Sequence, residues 1–164
     1  MADAGPLIHL VETGCLPLLR IFDSLHIPDA VWSETVGQRR VLEEDVLGLG
    51  NIHRHTLTQP QVAQFVLDNH LEELHAGEVE CMYLCQQIAV PVLLTDDLAV
   101  RDTAKRFGLT PVGCLGVVVR AYRVGDISLE GAERHLADLY NVSSLFVTRA
   151  IVDLAIEQLR SQGS

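Results

Sequence analysis

The stretch Pro91-Val-Leu-Leu-Thr-Asp-Asp97 decides the fold. Its first part is a short apolar run that begins with proline, which predicts a buried strand over Pro91 to Thr95. The pair Asp96-Asp97 follows this strand directly, and a helical pattern continues from Leu98 to Phe107, where Gly108 can end it. A buried strand that leads through polar residues into a helix is typical of parallel sheets, because parallel strands are joined by crossover helices.

The same alternation of strands and helices continues on both sides of this stretch. Three further short strands are predicted, at Leu25 to Pro28, at Ile52 to Leu57 on an edge, and at Thr110 to Gly113. Helical patterns separate these strands, and the chain becomes wholly helical after Cys114. We therefore predict a three-layer α/β/α fold with a central parallel sheet, followed by C-terminal helices.

Length and composition indicate one globular domain. A chain of 164 residues with 48% hydrophobic and 21% charged residues is long enough to bury a substantial core. Within one domain over 1–164, we predict a core over residues 1–125 and a helical extension over 126–164. The sequence contains no apolar stretch of membrane-spanning length and no signal-peptide pattern, so we expect a cytoplasmic protein with no membrane contact.

The cysteines and the net charge narrow the function classes further. The four cysteines lie on apolar segments without a disulfide or CxxC spacing, which favours reduced, packed thiols. A net charge of −10 disfavours tight binding to bare nucleic acid through counterion release. One local basic group, Arg101, Lys105 and Arg106, is a candidate RNA contact, although a solvated helix face is the favoured explanation, because charge groups on helices usually face solvent.

Acidic residues recur beside predicted strands or at the start of apolar helical faces. They are Asp3, Glu34, Glu78 and the pair Asp96-Asp97. A buried ionised carboxylate is strongly disfavoured unless it is paired or bound to a metal, and few basic residues are nearby in the sequence. A divalent cation is therefore the natural counter-charge, which indicates metal-dependent chemistry on phosphates.

Helical spacing predicts where these carboxylates point. Glu34, Glu78 and Asp97 each lie three residues from an apolar position of a predicted helix, so we expect them to face the core. By this spacing Asp97 is the core-facing member of its pair, and Asp96 is expected to be an accessory acid. Asp3 and Asp97 also follow predicted parallel strands, at the sheet edge where open α/β folds place their sites.

Each acid also has a purely structural explanation. A glutamate in the first turn of a helix can interact with the helix dipole, and Thr-Asp-Asp before a helix can be capping chemistry. Two other candidate metal sites are weaker. Cys81 and Cys85 with nearby histidines, and the histidines of His53-Arg54-His55, are better explained by packing and by an exposed strand face. The sequence has no Gly-rich phosphate loop, GxSxG elbow or HExxH motif.

Five ordered segments resemble the PIN-domain family, and more narrowly its VapC-like branch of toxin-type proteins. They are Asp3-Ala-Gly-Pro-Leu-Ile, Ile27-Pro-Asp-Ala-Val-Trp-Ser-Glu34, Leu74-His-Ala-Gly-Glu78, Leu94-Thr-Asp-Asp97-Leu-Ala-Val-Arg101 and Val112-Gly-Cys-Leu-Gly-Val. The resemblance covers roughly residues 3 to 125 and extends, through the Gly-Asp-Ile-Ser segment at 125 to 128, to the C-terminal helices. It departs from the family at the N-terminus, where only Met1 and Ala2 precede Asp3 in place of a longer apolar strand. Either the chain begins downstream of the usual point, or a strand stub is enough.

The resemblance implies a Mg²⁺- or Mn²⁺-dependent endoribonuclease that is often dimeric and often neutralised by a cognate antitoxin. It transfers the catalytic positions to Asp3, Glu34, Glu78 and Asp97. The metal ligands would be Asp3, Glu78, Asp97 and Asp96. Thr95 would support the cluster through its hydroxyl. Hard oxygen ligands of this kind suit both metal ions.

Two other functions remain open from the sequence. A PIN-like fold that no longer cleaves would serve as a binding or regulatory module, and a Mg²⁺-dependent phosphatase would use similar acids. The broad apolar face of the last predicted helix, which includes Ile151, Leu154 and Leu159, packs either on its own domain or on a second copy or an antitoxin.

Overall fold

The computed structural model describes residues 1–162, with short parallel strands and longer helices. The strands are β1 (Leu25–Pro28), β2 (Ile52–His55), β3 (Val92–Leu94) and β4 (Thr110–Val112). The α-helices are α1 (Ala4–Glu12), α2 (Asp29–Trp32), α3 (Glu43–Leu47), α4 (Gln59–Asn69), α5 (Ala76–Gln87), α6 (Leu98–Arg106), α7 (Cys114–Arg123), α8 (Leu129–Asn141) and α9 (Arg149–Gln162). A 3₁₀-helix, Leu16–Ile21, follows α1, and a π-helix, Ser33–Gly37, continues α2.

The N-terminal segment joins two pairs of parallel strands. The β1 strand pairs with β2, and β3 pairs with β4. Between them, Ala2 N donates to His26 O at 3.0 Å, and Asp3 N donates to Leu94 O at 3.0 Å. Leu94 N in turn donates to Met1 O at 2.9 Å. Residues 1–3, which we call the N-terminal stub, therefore lie between β1 and β3. The order of segments across the sheet is β2, β1, the stub, β3 and β4.

Apolar side chains explain why these short segments form the centre of the fold. Ala2, Leu25, Ile27, Leu93 and Leu94 are almost completely buried, so each inner strand packs apolar residues against the helices. Helix α5 contacts both β1 and β3, while α6 and α7 contact β4. The α/β class and the parallel pairing are confirmed, whereas the arrangement of the helices in three layers stays a prediction.

The C-terminal helices pack back on the rest of the chain. Helix α8 lies against α7, and α9 contacts both. Leu136, Leu139 and Leu159 are fully buried there, whereas Ile151 and Leu154 are exposed. Part of the apolar face of α9 is thus covered by its own chain. The boundary between a core over 1–125 and an extension over 126–164 stays a prediction, and its last two residues lie outside the described part. None of the described helices has the length and apolar character needed to cross a membrane.

Candidate metal centre

A pocket of about 280 Å³ lies beyond the N-terminal stub and β3, where both segments end. Its lining includes every acidic position singled out in the sequence. The lining residues are Asp3, Ala4, Gly5, His9, Glu34, His75, Glu78, Asp96, Asp97, Leu145 and Phe146. These side chains come from separated parts of the chain, and the parallel sheet and its flanking helices bring them together.

Asp3 lies deepest among the acids and is only 6% exposed. It is the N-cap of α1, where Oδ1 accepts from Ala4 N at 2.7 Å. Oδ2 accepts from the Thr95 hydroxyl at 3.1 Å, which agrees with the supporting role implied for Thr95. Burial raises the pKa of Asp3 to about 6, the bond from Ala4 opposes the rise, and the nearby Glu78 carboxylate adds to it.

Glu34 enters the pocket from the π-helix Ser33–Gly37 that follows α2. A short π-helical segment changes the direction of side chains relative to a regular helix, and such segments are frequent at functional sites. The carboxylate lies against Gly77 on α5, where a Cβ atom would be 3.1 Å from both Glu34 Oε1 and Oε2. The glycine therefore leaves the room that this carboxylate occupies.

Glu78 has both a capping role and a place in the acid cluster. Its Oε2 accepts from His75 N at 2.8 Å, completing a capping box at the start of α5. The side chain is half-buried, and burial raises its pKa. The bond from His75 opposes this rise, while the negative charges of Asp97 and Glu34 contribute to it. The capping explanation and the site explanation thus apply to the same residue.

The prediction that Asp97 is the core-facing member of its pair was wrong. Asp97 is exposed, and its Oδ1 accepts from Val100 N at 3.0 Å as the N-cap of α6. Its backbone is extended rather than helical, so its side chain does not follow the stripe that continues through Val100. It nonetheless lines the pocket.

Asp96 is the more buried of the pair, with a side chain only 10% exposed. Its Oδ1 accepts from Cys114 N at 2.8 Å. Its Oδ2 accepts from Cys114 Sγ at 2.9 Å and lies 3.0 Å from His9 Nδ1. Burial opposes its ionisation, but the bonds with His9 and Cys114 outweigh burial and lower the pKa of Asp96. Because an ionised carboxylate only accepts hydrogen bonds, His9 Nδ1 is the donor.

Sequence reasoning missed His9 and the buried Glu80. His9 and Gly5 lie four residues apart on the face of α1 opposite its apolar stripe, a spacing that could have placed both beside Asp3. Glu80 Oε2 accepts from Ala30 N and Oε1 accepts from Gln59 Nε2, both at 3.0 Å. Those two bonds make Glu80 a structural link from α5 to the starts of α2 and α4.

The predicted basic group divides into two parts. Arg101 is half-buried, and its Nη1 donates to Thr95 O at 3.2 Å. Lys105 and Arg106 are exposed in the last turn of α6, and Lys105 pairs with Asp102 at 3.5 Å. None of the three lines the acid pocket, and their contact with RNA stays a prediction.

The charges in the pocket suit a divalent cation. Among residues 1–162, no salt bridge joins Asp3, Glu34 or Glu78 to an arginine or lysine. Their mutual repulsion contributes to the raised pKa of both Asp3 and Glu78, and the charge of His75 offsets part of this rise for Glu78. The described part of the cluster therefore lacks an arginine or lysine counter-charge. Several carboxylate oxygens around one pocket form the hard donor set that Mg²⁺ and Mn²⁺ prefer. His9, Asp96 and Cys114 form a second group, whose potential ligand atoms lie within 4.8 Å of one another.

The family comparison agrees with this geometry. A family model described as “PIN domain” matches residues 1–161. The match covers almost the whole chain, so the protein belongs to the PIN-domain family, and the resemblance inferred from the sequence is confirmed. PIN domains are typically nucleases that use divalent metal ions, so membership indicates a nuclease-type hydrolase. Comparison with curated proteins and with solved structures finds no match.

Proposed function

We propose that the protein is a Mg²⁺- or Mn²⁺-dependent endoribonuclease of the VapC-like type, with Asp3, Glu34, Glu78 and Asp97 as its catalytic residues. The observation that carries the proposal is the convergence of these four carboxylates on one pocket without an arginine or lysine counter-charge among the described residues. Family membership supports the reaction class. We also propose that the helices lie on both sides of the parallel sheet, as in a three-layer α/β/α fold.

The residues have separable roles in this proposal. Asp3 is held by two hydrogen-bond donors, Ala4 N and the Thr95 hydroxyl, so its carboxylate keeps a fixed direction and is the central metal ligand. Glu78 and Asp97 complete the ligand set, and each is fixed by its capping bond. Asp96 is an accessory acid, because its two oxygens are already engaged by His9 and Cys114.

A bound divalent ion supplies acidification of water and neutralisation of charge on the phosphate. Glu34 enters from another element than Asp3 and has no hydrogen bond to a backbone group among those described. Its carboxylate is therefore available to orient an attacking water and to accept a proton. Asp97, exposed at the pocket mouth, is placed to assist in orienting water. The chain itself needs no nucleophilic side chain for this hydrolysis.

Partners and location follow from the VapC-like assignment. We propose RNA as the substrate, a cognate antitoxin protein as the inhibitor, a homodimer as the working form and the cytoplasm as the location. Support comes from the family and from the apolar side chains that α9 leaves exposed, such as Ile151 and Leu154. Sedimentation of the purified protein would test the dimer directly.

The deciding experiment is cleavage of a mixed panel of structured and single-stranded RNAs with Mn²⁺, Mg²⁺ or EDTA. We expect cleavage by the wild type with either metal and none in EDTA. Asp3→Asn should abolish it, whereas Asp126→Asn, which alters an exposed aspartate outside the pocket, should not. A folded wild type that binds Mn²⁺ but cleaves no RNA would contradict the proposal. A folded protein that binds no metal would instead favour a non-catalytic PIN module.

A further inference from the structure

A second depression of about 520 Å³ adjoins the acid pocket. The depression and the acid pocket share Asp96, Leu145 and Phe146. These three residues form a common wall between the acid pocket and the depression, which is a largely apolar groove. The other groove residues are Leu98, Arg101, Pro111, Val112, Gly113, Leu115, Gly116, Val147, Thr148 and Ile151. Its size lies within the range of small-molecule sites.

Large apolar side chains are left in water around this groove. Phe146 is 98% exposed, Leu98 is 77% exposed and Ile151 is 52% exposed. Single exposed apolar residues are ordinary, but a group of them around one depression is typical of an interaction site.

Phe146 belongs to a loop that is fastened to the rest of the chain. Ser144 N donates to Glu12 Oε2 at 2.7 Å, and the Ser144 hydroxyl donates to Glu12 Oε1 at 2.8 Å. Ser143 Oγ donates to Leu139 O at 2.6 Å. These bonds hold the segment before Phe146 on α1 and α8, so the exposed ring is presented from a positioned loop.

One fixed cation lines the groove. Arg101 is half-buried and its Nη1 is held by Thr95 O and lies near Gly113. The remaining guanidinium donors suit a phosphate, and Asp96 on the same wall already has both oxygens occupied. An apolar floor, an exposed aromatic ring and an adjacent arginine form the combination with which proteins bind unpaired nucleotides.

We propose that this groove holds an unpaired nucleobase of the RNA strand, next to the bond that is cleaved, with the base stacked on Phe146. The inference rests on the proposed function, because it is the phosphate in the acid pocket that brings the neighbouring base to the shared wall. It makes single-stranded RNA the preferred substrate class. A base can stack with little dependence on sequence, since every base has an aromatic face.

The test measures binding without cleavage. A fluorescein-labelled single-stranded hexanucleotide RNA, the same RNA with an abasic residue at each position in turn, and a blunt RNA duplex are titrated with protein in Mn²⁺. For this binding measurement every protein carries Glu34→Gln, which removes the proposed proton acceptor and leaves the proposed metal ligands in place; the cleavage assay uses the same proteins with Glu34 intact. The proteins are wild type, Phe146→Ala, Phe146→Tyr and Tyr140→Ala, the last replacing another exposed aromatic outside the groove. Cleavage of the unmodified RNA by each protein with Mn²⁺ is measured in parallel.

We expect Phe146→Ala to weaken binding of the hexanucleotide about tenfold or more, and Phe146→Tyr to restore it. An abasic residue at one position should weaken binding to the wild type by a similar factor. With that abasic RNA, Phe146→Ala should have the same affinity as the wild type. Tyr140→Ala should bind as the wild type does. Because Phe146 is almost fully exposed, its replacement should not change the melting temperature.

Failure of this inference and failure of the proposed function give different results. Unchanged binding by Phe146→Ala, together with metal-dependent cleavage, would overturn the groove and leave the nuclease intact. Base-dependent binding through Phe146 without any cleavage would support the groove and contradict the nuclease. If Phe146→Ala left RNA binding unchanged but converted a dimer to a monomer in sedimentation, the groove would belong to a second copy. A wild type that neither binds nor cleaves RNA would overturn both.

Discussion

The hydroxyl of Thr95 donates a hydrogen bond of 3.1 Å to Asp3 Oδ2, across 92 positions of sequence. The backbone supports the same approach, because Asp3 N donates to Leu94 O at 3.0 Å. The position of Asp3 is thus set by β3 as well as by the three residues of its own stub. Residues 1–3 and β3 together therefore place the deepest acid of the pocket.

Removing the charge of Asp3 should stabilise the metal-free protein at neutral pH. Folding raises the pKa of Asp3 from its ordinary 3.8 to about 6, so the folded state holds the proton more tightly than the unfolded state does. The stability of the wild type therefore falls as pH rises from about 4 to about 6 and changes no further through this group above that. Relative to the wild type in EDTA, Asp3→Asn should gain up to about 3 kcal/mol between pH 4 and pH 7. Urea unfolding at several pH values measures this difference.

A bound divalent metal should make the wild type more stable than Asp3→Asn. At pH 7, excess Mn²⁺ binds the folded wild type and raises its melting temperature by mass action. Asp3→Asn should show a much smaller rise, because it lacks the central carboxylate. Equal shifts for both proteins would place the metal elsewhere, with His9, Asp96 and Cys114 as the next group to test.

The Thr95 hydroxyl should be required for the direction of the Asp3 carboxylate. Thr95→Val keeps the shape but removes the donor to a buried acid, so it should destabilise the protein by about 1–3 kcal/mol at pH 7. The pKa of Asp3 should rise further, and cleavage should need a higher pH. Thr95→Ser retains the hydroxyl and is the matched control. Wild-type pH dependence in Thr95→Val would show that the bond has no part in activity.

Asp97 separates capping from metal chemistry. Asparagine caps helices about as well as aspartate, whereas alanine does not. Asp97→Asn should therefore keep the wild-type melting temperature and lose cleavage, while Asp97→Ala should lose cleavage and about 0.5–2 kcal/mol of stability. Thermal unfolding and Mn²⁺-dependent RNA cleavage of both variants give the answer. An active Asp97→Asn protein would reduce this residue to a helix cap.

The sequence was sufficient for the α/β class and for the strands. Three of them are marked by neighbouring proline or glycine, since β1 ends at Pro28, β3 follows Pro91 and β4 precedes Gly113, and β2 shows the alternation of an exposed strand. It was not sufficient to predict which member of the pair Asp96-Asp97 is buried. Helical spacing assigned Asp97 to the core, but Asp97 lies before the helix, which begins at Leu98. As the N-cap, Asp97 has an extended backbone and turns its side chain toward the first turn of α6. Asp96 is buried by His9 and Cys114, which are distant in sequence and could not be predicted from local periodicity.

The approach of Glu34 to Gly77 was also beyond a local pattern. The sequence shows a glycine before Glu78, which fits a helix start equally well. Only the packing of α5 on α2, which the π-helix Ser33–Gly37 continues, reveals that this glycine makes room for the Glu34 carboxylate. Tertiary contacts of this kind decide the geometry of the pocket, whereas periodicity decides only which elements contribute to it.

Gly77→Ala should therefore impair activity through Glu34. The new Cβ would lie 3.1 Å from both carboxylate oxygens and 3.1 Å from Val31 Cγ2, so Glu34 must move away from α5. Gly5→Ala is the matched control, since Gly5 is also the second residue of its helix and lines the pocket, yet its Cβ would meet only His9 at 3.6 Å. That distance is an ordinary contact, and alanine favours the helix by up to about 1 kcal/mol.

We expect Gly77→Ala to lower the rate of Mn²⁺-dependent RNA cleavage at least about tenfold, the size of effect expected when a positioned proton acceptor is displaced. Mn²⁺ binding, measured by calorimetry, should change little, because Asp3, Glu78 and Asp97 keep their capping bonds. Gly5→Ala should retain near wild-type cleavage. If both alanine variants cleave equally well, the position of Glu34 against α5 does not matter for the reaction. If Gly77→Ala loses Mn²⁺ binding as well as cleavage, Glu34 is a metal ligand rather than the residue that orients water.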